Sequence, residues 1–171
     1  TGAEALREPF SKWVFHLRAS YYDETGLIVK QLTSLGLKKI AVFYQNDAYG
    51  KAGLEGVTRA LKAQELAPVA LGTVERNSTE MAQALKDILA AKPEAIVQIG
   101  AYKACATFVR LARQQGYGGN FYNVSFVGTQ ALIDELGAMA KGVAVSQVMP
   151  FPFSTTTPIS RVSRFKAMPS V

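Results

Sequence analysis

Phe43-Tyr44-Gln45-Asn46-Asp47-Ala48-Tyr49-Gly50-Lys51-Ala52-Gly53-Leu54 is the stretch from which the fold can be read. An apolar run, Ile40 to Tyr44, enters a polar turn, and Tyr49-Gly50 then opens an amphipathic helical pattern. That order sets a tyrosine at the carboxyl end of a strand, beside a helix N-terminus. In open α/β sheets ligands gather at such a place, because the loops leave a crevice and the first helical N–H groups are unpaired.

Outward from this stretch the same unit recurs. Five apolar runs, Ile40–Tyr44, Val69–Val74, Ala95–Ile99, Phe121–Val124 and Val143–Val148, come at similar intervals. Four are nearly continuous, as expected for strands covered on both faces by crossover helices. Between them lie stripes of helical period: Leu54, Val57 and Leu61; Met81, Leu85, Ile88 and Leu89; Cys105, Phe108, Val109 and Ala112. Leu27, Ile28, Gln31, Leu32 and Leu35, closed by Gly36, mark a helix before the first strand. Asn77 three residues before Glu80 has the spacing of a capping box, Lys92-Pro93 stops one helix, and Gly116 to Gly119 stops the next. The alternation predicts an α/β fold, a doubly wound parallel five-stranded sheet with helices on both faces.

Composition narrows the function. The chain has 171 residues, of which 49% are hydrophobic and 19% charged, enough for one domain with a real core. Its net charge of +6 raises the question of nucleic acid. The cations are scattered, Lys38-Lys39 being the only adjacent pair, and no basic run interleaved with aromatics forms a stacking platform. A solvated basic surface and no nucleic-acid partner are expected. Cys105 is alone and reads as a small buried apolar residue; with His16 the only histidine, a zinc site or a nucleophile–base machine lacks its parts. No Gly-x-Gly-x-x-Gly follows a strand and no P-loop is present, so neither cofactor nor catalysis is expected. No apolar run approaches the roughly 20 residues that span a bilayer.

The ends depart from the plan. Arg7-Glu8-Pro9 reads as a turn, and Pro150 to Pro158 as a stiff crossing without periodicity, followed by a short helical pattern from Ile159 to Met168. A chain that starts at Thr1-Gly2 without an initiator methionine reads as a mature or trimmed product. Three turns, Asn46–Gly50, Gly100–Lys103 and Val124–Gly128, all follow strands at their carboxyl ends, so Tyr49, Tyr102 and Ser125 should converge on one crevice. Two tyrosines and a hydroxyl suit a small polar-headed organic ligand.

Several landmarks stand in order: Thr1-Gly2, Phe15-His16-Leu17-Arg18-Ala19, Tyr49-Gly50, Ile99-Gly100-Ala101-Tyr102, Ser125-Phe126-Val127-Gly128 and Pro150-Phe151-Pro152. With them the chain resembles the periplasmic solute-binding proteins of ABC importers, the branched-chain amino-acid-binding (leucine-binding protein-like, type I) family. The resemblance covers almost the whole chain and is to the second of two lobes. It implies a first-lobe remnant and hinge at 1–13, the α/β ligand-binding lobe at 14–149, and a hinge crossing into a missing lobe at 150–171. It also implies a periplasmic protein that binds an amino acid or similar carboxylate by hinge closure, partnered by an ABC permease. The same fold can serve instead as the sensing domain of a signalling receptor or regulator.

Residue by residue, the resemblance makes Tyr49 the tyrosine that packs on the ligand and Tyr102 an aromatic contact after the third strand. Tyr21 takes a crevice position, with Tyr22 facing away, and Thr1 is a first-lobe contact. Ser125 aligns where branched-chain binders carry an acid for the ligand ammonium; serine supplies no charge, so either another group supplies it, Asp47 and Glu24 being the candidates, each with capping or surface solvation as its alternative, or the ligand lacks an ammonium. Arg18 is expected in a hinge salt bridge rather than on a ligand carboxylate.

Overall fold

A computed structural model describes residues 2–148. Thr1, the proline-rich crossing and the Ile159–Met168 pattern therefore lie outside the described residues. Five parallel strands, β1 (Ile40–Gln45), β2 (Ala70–Val74), β3 (Ala95–Ile99), β4 (Asn120–Asn123) and β5 (Val143–Val145), form one sheet in the order β2-β1-β3-β4-β5. Helices α1 (Tyr21–Ser34), α2 (Ala48–Lys62), α3 (Ala82–Ala90), α4 (Tyr102–Gln114) and α5 (Thr129–Leu136) cover it.

The period of two along each strand divides the core into two layers. Ile40 and Val42 of β1 and Ala95, Val97 and Ile99 of β3 pack with Ile28, Leu32, Val57 and Leu61 of α1 and α2. Ala41, Phe43, Ile96 and Phe121 turn to the other face, against Leu85, Ile88, Phe108, Val109 and Leu132 of α3, α4 and α5. There Phe43 stacks on Phe108 with ring centroids 4.2 Å apart. Cys105 is fully buried in this layer, as its spacing implied, and burial pushes its thiol pKa up to about 12. The doubly wound α/β sheet expected from the alternation is the one observed.

Local expectations were corrected at three places. The Asn77–Glu80 capping box does not form. Asn77 instead takes a left-handed turn (φ 60°), and α3 starts after Met81 with no side-chain cap. The capping box belongs to α1, where the Ser20 hydroxyl accepts from Asp23 N–H at 3.1 Å and the Asp23 carboxylate accepts from Ser20 N–H at 2.9 Å. Helix α5 was not anticipated, because in its eight residues only Leu132 and Leu136 are buried, too few to show a stripe. Strand β5 ends at Val145, three residues early, where the Ser146 side chain turns to bond Glu24.

Candidate functional site

Strands β2 and β3 flank β1, so the chain leaves β1 and β3 in opposite directions, through α2 on one face and α4 on the other. The N-termini of these helices diverge at the carboxyl edge of the sheet, which opens the crevice of a topological switch point. Asp47 caps α2 by accepting from Gly50 N–H at 3.0 Å. Gly50 is obligatory there: a Cβ would lie 1.8 Å from the Gln45 carbonyl oxygen. One turn further, a Cβ on Gly53 would meet Ile99 of β3 at 2.6 Å, so α2 sits close on the sheet and Tyr49 is held low over its edge.

Three rings form one wall of the crevice. Tyr49 lies 5.2 Å from Tyr21 and 4.7 Å from Phe126, centroid to centroid, and Tyr21 lies 6.5 Å from Phe126. Tyr21 is placed by the start of α1, its N–H donating to the Gly2 carbonyl at 2.8 Å, and the Arg18 guanidinium rests 5.5 Å over its ring. Tyr22 does turn away, under the Arg59 guanidinium on α2. A cavity of about 270 Å³ is lined by the three rings together with Ala3, Gln45, Asp47, Ala48 and Arg76. The Tyr49 hydroxyl is buried with no hydrogen-bond partner among the described residues, and burial raises its pKa well above the usual phenol range.

Tyr102 opens α4 and lines an adjoining cavity of about 390 Å³ with Asn77, Ser78, Thr79 and Lys103; Gln45 is common to both. A larger cavity, about 490 Å³, lies away from this edge, between the end of α4 and the start of β4 and β5. Its arginine, Arg113, is already committed to the Tyr117 and Lys141 carbonyls.

Ser125 occupies the turn after β4 but lines neither crevice cavity. Its N–H donates to Glu24 Oε2 at 2.9 Å, and its hydroxyl accepts from Arg18 Nη2 at 2.9 Å. Arg18 also ion-pairs with Glu24 Oε1, and the Ser146 hydroxyl donates to Oε2 at 2.7 Å. Glu24 is therefore neither a surface residue nor a cap: it is 3% exposed and neutralised from within, which removes it as a charge for a ligand. The salt bridge anticipated for Arg18 exists, and Glu24 is its partner. Thr1 lies outside the described residues, although Gly2 and Ala3 reach the Tyr21 side of the crevice.

Tyr21 and Tyr49 meet in one cavity and Tyr102 lines the adjoining one, whereas Ser125, expected to converge with Tyr49 and Tyr102 on one crevice, lines neither because Glu24 and Arg18 hold it behind the wall. The sequence reading missed Phe126, Gln45 and Arg76. Phe126 stands in the landmark after β4, and an aromatic in a turn that follows a strand is the signal the sequence offers; the structure leaves it 58% exposed. Among the described residues no cluster of His, Cys, Asp or Glu could hold a metal ion, and no helix is long and apolar enough to cross a membrane.

A family model described as periplasmic binding protein matches residues 1–170. A possible leucine/isoleucine/valine-binding protein from Rhodopirellula baltica SH 1 superposes with a TM-score of 0.87 at 35% identity, covering 96% of this chain and 46% of that one. A substrate-binding periplasmic protein from Ralstonia solanacearum gives 0.84 at 31% identity, with 96% and 46% covered. A branched-chain amino acid ABC transporter protein from Thermus thermophilus with bound valine shares the fold, with a TM-score of 0.82 at 18% identity and 99% and 46% covered. The chain spans about half the length of these structures. No curated protein matches it.

Proposed function

Because the chain belongs to the periplasmic binding protein family, we propose that it supplies one lobe of the extracytoplasmic solute-binding component of an ABC importer. Residues 14–149 would form the lobe, with 1–13 and 150–171 leading across a hinge into a second one. The ligand would be a small amino acid or similar carboxylate. It would dock on this lobe's aromatic wall, and closure of the second lobe would bury it and create the form that a membrane permease recognises. The protein would make and break no covalent bonds.

The observation that carries this reading is the wall of Tyr21, Tyr49 and Phe126 at the switch point. Such rings present broad apolar faces with polar tips, which suits a compact organic solute rather than a polymer. Thermal unfolding of the complete gene product against aliphatic and aromatic amino acids, and the matching acids without an ammonium, tests it. A true ligand at 100 times its dissociation constant should stabilise by about 2.7 kcal/mol. No shift with any of these compounds would end the transport reading while leaving the fold untouched.

A further inference from the structure

Glu24, in the first turn of α1, is a buried carboxylate on which distant parts of the chain meet. Its Oε1 pairs with Arg18, from the segment that enters the lobe, and its Oε2 accepts from the Ser125 N–H and the Ser146 hydroxyl. Ser146 is where the chain turns off β5 to leave the lobe, its own N–H donating to the Asn123 carbonyl at 2.9 Å. Arg18 in turn donates to the Ser125 hydroxyl and covers the Tyr21 ring, while its carbonyl accepts from Arg7 Nη2 at 2.6 Å. Two more bonds draw the first residues to the same place. The Gly2 carbonyl accepts from Tyr21 N–H, and the Leu6 carbonyl lies 2.9 Å from His16 Nε2. The entering and leaving segments thus end on one side chain, with Phe126 of the wall next in sequence to its partner Ser125.

We propose that Glu24 is a positioning residue that clamps the two crossings to each other and to the aromatic wall. Neither crossing then loosens without the other, nor without the turn that carries Phe126. This rests on the solute-binding reading above, which makes these two segments the crossings to a second lobe. Arg18 alone would neutralise the carboxylate; the donors from Ser125 and Ser146 add no charge, and what they add is attachment of two further segments. A buried carboxylate needs all its donors, so the loss of one makes the ion costlier to keep, and its remaining bonds open more often together. Loosening at Ser146 is thereby felt at Arg18. Because the coupling is an equilibrium quantity, it has the same size in the opposite direction. A wall held in this way is set before a solute arrives, which keeps the ordering cost of binding low.

Deuterium exchange of the complete gene product, with no solute added, reads the coupling directly. Ser146→Ala should speed exchange about fivefold or more over 143–148, and also over 16–24 and 124–128, where no residue is changed. Strands β1 and β3 should keep their rates. Ser146→Thr, which retains the hydroxyl, should return all three segments to within about twofold of the unsubstituted protein. Arg18→Gln should act in the reverse direction, speeding 143–148 as well as its own segment. Exchange that quickens only in the substituted segment would overturn the clamp. Rates that Ser146→Thr leaves raised would overturn it too, because the effect would then not belong to the hydroxyl. Should Arg18→Gln not fold, the two Ser146 variants decide alone. The solute screen is a separate matter. A melting shift without the coupling overturns the clamp and keeps the function, whereas the coupling without a shift upholds the clamp and ends the transport reading.

Discussion

Tyr49 shows how one side chain serves the wall and strains the core. Its ring is held between Tyr21 and Phe126, but its hydroxyl is buried without a partner among the described residues. An unsatisfied buried hydroxyl costs about 1–3 kcal/mol. Tyr49→Phe should therefore raise the unfolding free energy of the unliganded protein by about 1 kcal/mol, read from urea titration; a fall would mean the hydroxyl has a bond of its own. Glu24 is the opposite case, every oxygen engaged and its charge matched by Arg18. Removing one partner of a buried pair strands the other, so Glu24→Gln should lower stability by about 3 kcal/mol. The midpoint of the same titration checks it, and a change within about 0.5 kcal/mol would show the pair to be dispensable.

At the scale of elements, glycines in two helices look alike in the sequence and differ in the fold. Gly26 lies within α1 with nothing within 4 Å of where a Cβ would stand, whereas Gly50 has the Gln45 carbonyl oxygen at 1.8 Å. Gly26→Ala should stabilise by up to about 1 kcal/mol through helix propensity. Gly50→Ala should destabilise by about 3 kcal/mol or more by pushing α2 off the end of β1. Thermal melts of the two variants should move in opposite directions. At the other edge of the sheet, Glu94 before β3 accepts from Lys39 N–H at 2.9 Å and Lys38 N–H at 2.7 Å before β1. These bonds hold its carboxyl below the usual carboxylate range. A group whose folded pKa is depressed contributes stability above its unfolded value, about 4.3 for glutamate, and loses it as the pH falls through the folded one. Glu94→Gln should accordingly flatten the acid limb of a stability–pH profile. An unchanged slope would assign that limb to other carboxylates.

For the whole molecule, one sheet is shared by both core layers, so neither layer can open alone. Urea unfolding followed by circular dichroism and by Cys105 thiol reactivity should give one coincident transition, since that thiol is fully buried. Separate transitions would show that the α4 layer opens first. Trp13 would not serve as the probe, because it is 79% exposed and lies outside both layers. Sequence alone determined the architecture: the two periods, the punctuation and the order of strand, turn and helix are local properties, and they placed five parallel strands and the crevice at their carboxyl ends. It also put Tyr49 and Tyr102 along that edge, because the end of a strand fixes where the next residues emerge; Tyr21, which follows no strand, was reached only through the family resemblance. Local pattern misled at Asn77–Glu80, where a capping spacing met a left-handed turn, and passed over α5, whose buried face is two leucines. What only the tertiary structure decided is which polar groups remain available to a ligand. Glu24 is bonded by Ser125 and Ser146, 101 and 122 positions away along the chain, and is neutralised by Arg18. Asp47 and Arg76 come to one cavity from the ends of different strands. A side chain's charge is written in the sequence, but whether another side chain has already answered it depends on contacts between segments remote in the chain, to which no local period points.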